Sequence, residues 1–139
     1  MIIHIIAVGT KMPSWVTQGV DEYLRRMPSE CQVKIIELAL GQRSKSKNIK
    51  QAMQQEEKSI LAAIPNNSLV IAMEVKAKIW STEILSGKMQ DWMASGKDVA
   101  LLVGGTDGMT QTCINMAADK WSLSNLTLPH PLVRLVLAE

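Results

Sequence analysis

The stretch KDVALLVGG, residues 97–105, decides the class of fold, because it is an apolar run that ends abruptly in two glycines. Such a run is typical of a parallel β-strand that is buried on both faces. It continues into TDGMT, residues 106–110, which predicts a tight turn and then a helix. Gly104 and Gly105 lack a Cβ atom, so another group can approach the backbone closely here. That group is either a ligand or the turn itself.

The same alternation of strand and helix recurs along the whole chain. Apolar, β-rich runs alternate with segments whose apolar residues recur every three to four positions. The predicted strands are 2–10, 32–40, 68–75, 97–105 and 121–129, and the predicted helices are 14–27, 48–64, 81–96, 109–120 and 130–139. This order predicts an α/β fold with a largely parallel sheet. The length of 139 residues and the lack of a linker-like segment predict one domain, 1–139.

The composition excludes several classes of protein. The chain is 47% hydrophobic and 20% charged, so it can bury a core and stay in solution. No apolar run approaches the roughly 18 residues of a membrane span, and the first residues lack the basic start of a signal peptide. Cys31 and Cys113 are isolated, which predicts a reducing cytoplasm and no metal site. The net charge of +2 is too small to identify a nucleic-acid binder.

A basic segment, GQRSKSKNIK at 41–50, follows the second predicted strand. It contains Arg43, Lys45, Lys47 and Lys50 and no acidic residue. One interpretation is a solvated loop, and the other is an electrostatic contact for phosphate groups.

The glycine motif GGTDG, residues 104–108, is a candidate ligand site because ligands bind beyond the carboxyl ends of parallel strands. A helix that begins near Met109 would offer free N–H groups to an anion. However, the motif matches neither GxGxxG nor GxxxxGK[ST], so its support for phosphate binding is weak. Ligand binding and simple turn chemistry both remain open at this point.

A second candidate cluster is SLSNLTLPHPLVR, residues 122–134. Pro129 and Pro131 flank His130 and hold the chain in a non-helical corner. Arg134 follows His130 by about one helical turn, so the two side chains share a face where they would meet an anionic ligand. The alternative is an ordinary loop with a surface or capping histidine.

Two further reactive residues are better explained by structure than by chemistry. His4 lies inside an apolar strand, which is typical of a structural histidine. Cys113 lies in a predicted helix and reads as a packing residue.

Four segments of the chain resemble the RlmH family of SPOUT-class methyltransferases, which act on bacterial large-subunit ribosomal RNA. They are AVGTKMPSWV (7–16), EYLRRMP (22–28), LLVGGTDGM (101–109) and WSLSNLTLPHPLVRLVLAE (121–139). The resemblance implies a parallel-sheet SPOUT fold with a C-terminal trefoil knot. It also implies a homodimer that uses S-adenosylmethionine to methylate N3 of a pseudouridine in the 23S rRNA of the assembled ribosome.

The resemblance further implies which residues bind the cofactor and the RNA. Adenine would lie against apolar side chains while backbone groups contact its edge. The expected cofactor residues are Met73, Gly105, Ser124, Asn125, Leu126, Thr127, Leu128 and Pro129. His130 and Arg134 are the catalytic candidates, because transfer to a weakly acidic N3–H needs alignment and removal of a proton. The expected RNA contacts are Lys11, Arg25, Arg26, Arg43, Lys45 and Lys47.

Two features depart from the family pattern. The family's GGPEG is GGTDG here, and the change to Thr106 and Asp107 predicts a looser turn. Family members also continue past the position of Glu139 into a tail implicated in the target site, and without that tail weaker catalysis is expected. A ribosome-binding module without catalysis is therefore the alternative function. A nucleotide-binding domain of doubly wound type is a third, which the lack of a glycine-rich phosphate motif disfavours.

Overall fold

In a computed structural model that describes residues 1–44 and 48–139, a five-stranded sheet lies between two layers of helices. The strands are β1 (Ile2–Val8), β2 (Gln32–Leu38), β3 (Leu69–Met73), β4 (Val99–Val103) and β5 (Asp119–Trp121). The helices are α1 (Ser14–Leu24), α2 (Ile49–Ala63), α3 (Thr82–Ser95), α4 (Gln111–Met116) and α5 (His130–Ala138). The strand order is β2-β1-β4-β3-β5, and all four pairings are parallel. The predicted α/β class with a parallel sheet is confirmed.

The core lies on both faces of the central strands, which explains their unbroken apolar sequences. In β1, Ile3 and Ile5 point to a cluster with residues of α3 and α5, whereas Ile6 and Val8 point to a cluster with residues of α2 and α4. β4 is buried at all of its five positions. Because neither face of these strands meets water, the strict apolar–polar alternation of a half-exposed strand is absent.

The longer helices begin and end at residues suited to those positions. Asn48 accepts a hydrogen bond from the backbone N–H of Gln51 and completes a capping box at the start of α2. The Ser81 side chain accepts a hydrogen bond from the backbone N–H of Ile84 at the start of α3, and Gly96 ends α3 in the left-handed conformation, with φ of 70°. Among the helices of the described residues, none is long and apolar enough to cross a membrane.

The C-terminal third differs from the sequence prediction at two elements. The predicted strand 121–129 was wrong, because β5 ends at Trp121. The alternating leucines of 122–129 do not form a half-buried strand, and the side chain of Leu126 is left 73% exposed. The predicted helix 109–120 is only Gln111–Met116, since its last residues belong to β5.

Candidate functional site

A cleft of about 380 Å³ opens at the carboxyl edge of the sheet. Strands β4, β3 and β5 are neighbours, so the segments that follow Val103, Met73 and Trp121 converge there. Ligands of parallel α/β proteins bind at this edge. The volume also lies in the range of roughly 300–1,000 Å³ that is usual for small-molecule sites. The cleft is therefore the candidate functional site.

Most of the residues expected to hold the cofactor line this one cleft. They are Met73, Gly105, Ser124, Leu126, Thr127, Leu128 and Pro129. His130 lines the cleft too, whereas Asn125 is not part of the lining. Sequence reasoning did not identify Glu74, Trp121 and Val133, which also line it. Glu74 directly follows β3 and Trp121 ends β5, so their positions at strand ends were the available signal.

The first wall of the cleft is a tight turn, residues 104–108. The N–H of Gly108 donates to the carbonyl oxygen of Gly105 at 3.0 Å, and Gly108 has φ of 78°. A Cβ atom on Gly104 would lie 2.7 Å from the carbonyl carbon of Gly108 and 2.9 Å from the backbone nitrogen of Met109. Gly104 thus lets the two ends of the turn pack closely against each other, and it is not needed for the approach of a ligand.

Gly105 faces the packed interior. A Cβ atom on Gly105 would lie 3.1 Å from side-chain atoms of Val8, Leu40 and Glu56. A larger residue at this position would therefore disturb the contact between the turn and its neighbours before it obstructed the cleft.

An anion at the start of α4 is disfavoured by the structure. The helix begins at Gln111 and not near Met109, and Thr110 is its N-cap. The Thr110 hydroxyl accepts from the N–H of Cys113 at 3.4 Å and donates to a carboxylate oxygen of Glu57 at 2.5 Å. A capping side chain and a carboxylate occupy this position, so the phosphate site for which the motif gave weak support is disfavoured.

A network of charged side chains holds the turn against α2. Arg43 donates from Nε to Asp107 Oδ2 at 2.9 Å and from Nη1 to Glu56 Oε2 at 2.9 Å. The N–H of Gly41 also donates to Glu56 Oε2, at 2.9 Å. The side chain of Glu56 is only 3% exposed, so its charge depends on these donors. The looser turn expected from Asp107 stays a prediction, and the structure adds that Arg43 pairs with the shorter carboxylate.

The second wall of the cleft is the irregular segment 122–129. Its side-chain hydrogen bonds stay within the segment: the Ser122 hydroxyl donates to the carbonyl of Ser124 at 2.9 Å, and the N–H of Leu126 donates to the Ser124 hydroxyl at 2.9 Å. Leu126 and Leu128 add apolar side chains to the cleft. This wall combines apolar surface with backbone groups in irregular conformation.

His130 and Arg134 come together at the end of β1, as their spacing predicts, with Arg134 Nη2 3.4 Å from His130 Nε2. Arg134 is buried, and its guanidinium donates to the Glu37 carboxylate and to the carbonyl oxygen of Gly9. A Cβ atom on Gly9 would lie 2.8 Å from His130 Nε2, so the histidine packs where only glycine leaves room. Arg134 does not line the cleft and is engaged by its own chain.

The environment of His130 favours the neutral imidazole. Burial lowers the pKa of His130, and the positive charge of Arg134 lowers this pKa further. A hydrogen bond with the backbone of Val8 acts in the opposite direction but does not reverse the shift. At neutral pH the ring is uncharged, and it lies at the edge of the cleft.

Of the basic residues expected to contact RNA, the four that the structure describes do not line the cleft. Arg25 and Arg26 both pair with Glu22 at the exposed end of α1, at 2.5 and 3.0 Å. Lys11 is exposed in the loop before α1, with φ of 56°. Arg43 belongs to the network that holds the turn. The expected contacts Lys45 and Lys47 lie outside the described residues.

The two remaining residues have the structural roles expected of them. His4 Nε2 lies 3.2 Å from Asp98 Oδ2, within a mostly buried strand. Cys113 is fully buried, and burial raises the pKa of its thiol, so it is a packing residue in α4.

Known proteins resemble this chain over its full length. The family described as "Predicted SPOUT methyltransferase" matches residues 1–139. A "Ribosomal RNA large subunit methyltransferase H" from Hahella chejuensis is 50% identical over 139 residues, covering all of this chain and 89% of that protein. Proteins of the same name from Chromohalobacter salexigens and Nitrosococcus oceani are 48% and 46% identical, and the match covers 90% and 88% of their lengths.

Proposed function

Because the chain belongs to the SPOUT methyltransferase family, whose members use S-adenosylmethionine, we propose that it methylates the RNA of the large ribosomal subunit. The observation that carries this proposal is the cleft, which is built from the same segments, 101–109 and 121–139, that resemble the RlmH family. In finer detail, the target is N3 of a pseudouridine in the 23S rRNA of the assembled cytoplasmic ribosome. A single domain with a C-terminal trefoil knot is part of the same proposal.

The character of the cleft suits S-adenosylmethionine better than a nucleotide phosphate. Among the described residues that line it, there is no lysine or arginine, and Glu74 is the one carboxylate. Met73, Leu126 and Leu128 provide apolar surface for an adenine ring, and the irregular backbone of both walls provides groups for its edge. The sulfonium of S-adenosylmethionine is positively charged, so a cleft without basic side chains does not repel it.

The protein's part in the reaction is alignment of the reactants and handling of one proton. S-adenosylmethionine, when bound, supplies an electrophilic methyl group. His130 is the one titratable ring among the described residues that line the cleft, and we propose it as the group that accepts the proton leaving N3 of the target base. Arg134 contacts the ring of His130, and its guanidinium also donates to the carbonyl of Gly9, just after β1, and to the carboxylate of Glu37 in β2. We assign Arg134 the role of a positioning residue for His130.

We also propose that the enzyme is a homodimer, with α1 and α5 in the interface. These two helices pack against each other, and each presents a large apolar side chain to solvent: Trp15 is 57% exposed and Val136 is 40% exposed. Large apolar side chains that stay exposed on two packed helices are suited to burial against a second subunit. Sedimentation equilibrium should give a dimer for the wild type and a monomer for Trp15→Glu/Val136→Glu. A wild-type monomer would contradict the dimer.

Calorimetric titration with S-adenosylmethionine tests the cofactor cleft. Thr127→Trp should abolish measurable binding, because the indole would fill the cleft. Thr112→Trp places the same residue on an exposed face of α4 and should bind as the wild type does. Substitution of Gly105 is a poorer test, since its Cβ would point into the packed interior. Equal binding by both tryptophan variants would contradict the assignment of the cleft.

Methylation of ribosomes tests the reaction. Ribosomes from a strain without the native enzyme should accept a labelled methyl group, and mass spectrometry should find it on N3 of a pseudouridine in large-subunit RNA. Cofactor and ribosome binding without any methyl transfer would contradict the enzymatic activity and favour the binding module instead.

A further inference from the structure

A second surface depression, of about 580 Å³, is lined by four lysines. We name Lys76, Lys78, Lys88 and Lys120 the lysine patch. Lys76 and Lys78 lie in the loop between β3 and α3, Lys88 lies in α3, and Lys120 lies in β5. These residues are spread over 45 positions of sequence, so no basic run marks the patch in the chain itself.

Most of the charge of the lysine patch is not neutralised by the protein. Lys88 Nζ donates to Asp119 Oδ2 at 2.5 Å, and Asp119 is the one acidic residue among the described residues of the lining. Lys76, Lys78 and Lys120 are exposed and form no ion pair with any described residue. Three unpaired positive charges held close together repel one another. An anionic partner would remove that repulsion.

The backbone that carries these lysines is held in place. The N–H of Glu74 donates to the carbonyl of Trp121 at 2.9 Å, and the N–H of Ser122 donates to the carbonyl of Lys78 at 3.0 Å. Ile79 also forms a parallel bridge with Ser122. The loop with Lys76 and Lys78 is thus attached at both ends to β5 and the residue after it. The backbone positions of the three unpaired lysines are therefore fixed relative to one another.

An aromatic stack connects the lysine patch to the cofactor cleft. Trp80 lines the patch and Trp121 lines the cleft, and their rings stack with centroids 4.7 Å apart and planes 8° apart. The ammonium of Lys88 lies 5.0 Å above the centre of the Trp80 ring. The patch and the cleft are also adjacent along two segments, since Val75 and Trp121 line the cleft and the next or preceding residues, Lys76 and Lys120, line the patch.

We propose that the lysine patch binds backbone phosphates of the ribosomal RNA that carries the target base. This inference rests on the proposed function, because no lysine or arginine is found among the described residues that line the cleft. Lysine contacts to phosphates fix the position of a nucleic acid without reading its sequence. The patch supplies this positioning, and the cleft beside it supplies the chemistry.

A salt titration with matched triple variants tests the proposal. Lys76→Ala/Lys78→Ala/Lys120→Ala removes the unpaired charges, and Lys34→Ala/Lys58→Ala/Lys97→Ala removes three exposed lysines elsewhere. Binding to purified ribosomes that lack the modification is measured between 50 and 200 mM salt. The patch variant should bind at least tenfold more weakly at low salt, and its slope of log affinity against log salt should be smaller by about 2, at 0.7–0.9 per phosphate contact. The control variant should keep the wild-type slope.

Two further results separate this proposal from the proposed function. Calorimetry should show unchanged affinity of the patch variant for S-adenosylmethionine, and Lys76→Arg/Lys78→Arg/Lys120→Arg should restore ribosome binding. Equal slopes for the patch and control variants would contradict the role of the lysine patch in RNA binding without contradicting the proposed methyltransferase activity. A wild-type protein that binds no ribosome would overturn the proposed function, and the patch with it.

Crosslinking identifies the partner. Cys31 and Cys113 are both buried, so a photoactivated crosslinker on Lys78→Cys will react from one position. Adducts with large-subunit RNA are expected. Adducts with ribosomal proteins alone would overturn the assignment to RNA.

Discussion

The two walls of the cleft are held in opposite ways. The turn 104–108 is fixed from outside itself, by Arg43 from the loop before α2 and by close packing of Gly105 against β1 and α2. The segment 122–129 forms its side-chain hydrogen bonds internally and leaves Leu126 73% exposed. One wall is part of the packed fold, and the other is attached to it mainly at its ends.

This difference assigns the walls different roles in binding. A wall fixed by buried charges and backbone contact cannot adjust to a ligand, so it defines the shape of the cleft. A wall with exposed apolar side chains gains contacts when a ligand covers them, so we expect the segment 122–129 to become more ordered if the cleft binds a ligand. Substitutions in the turn should act on stability, and substitutions in the segment should act on affinity.

The largest effect is expected from Arg43→Ala. Among the described residues, this change leaves the buried Glu56 carboxylate with the N–H of Gly41 as a donor, and it releases Asp107. We expect the free energy of unfolding to fall by about 3 kcal/mol, measured by urea denaturation. Arg43→Met/Glu56→Met should recover part of the loss, because no charge is then buried. The exposed Arg25, paired with Glu22, is the control, and Arg25→Ala should change stability little. A loss at Arg25 as large as that at Arg43 would contradict a fixed wall.

A smaller effect is expected from Gly104→Ala. The new Cβ would meet backbone atoms of Gly108 and Met109, which cannot move without opening the turn. We expect a loss of about 2 kcal/mol in the free energy of unfolding. Gly87→Ala is the matched control, because nothing lies within 4 Å of its Cβ and the residue is inside α3. There the change should stabilise the protein by about 0.5–1 kcal/mol. Equal effects at the two glycines would show that the turn is not closely packed.

Leu126→Ala should separate affinity from stability. The side chain is mostly exposed, so its loss should leave urea denaturation unchanged. If Leu126 covers the adenine ring, the affinity for S-adenosylmethionine should fall about tenfold, which is near 1.4 kcal/mol. Calorimetric titration measures this directly. Unchanged affinity would mean that this wall does not close over the cofactor.

The smallest effect is expected from a change in pH. The pKa of His130 is lowered in the folded protein from its ordinary value of 6.5. At a pH between the folded and the unfolded pKa, the unfolded chain therefore binds more protons than the folded protein. Stability should therefore decrease as the pH falls from 7.5 to 5.5, and thermal denaturation of His130→Gln should show less of this decrease. The lowered pKa values of Asp98 and Asp119 act only at more acidic pH. A pH dependence identical in the variant would contradict the buried, neutral state of His130.

Local patterns were sufficient for most of the fold. The apolar runs of β1 and β4 identified strands that are buried on both faces. Apolar residues at helical spacing identified the helices that connect the strands along the chain. The same reasoning failed at 121–129, where alternating leucines imitate a strand but supply a wall of the cleft. A half-buried strand needs apolar residues at every second position, but this pattern alone does not form a strand. A strand also needs a neighbouring strand to pair with, and that neighbour comes from another part of the chain.

The sequence by itself determined the order of strands and helices and, through its resemblance, the family and the segments that build the cleft. Only the tertiary structure decided which charges are available. Arg43 is engaged by Asp107, 64 residues away, and Arg134 by Gly9, 125 residues away, so neither is free to meet an RNA. Conversely, Lys76 and Lys120 appear unremarkable in the chain but meet at one surface beside the cleft. The periodicity of a sequence depends on residues that are close together within one helix or strand. Pairing of charges depends on the distance between side chains that are far apart in the chain, and only the folded structure sets that distance.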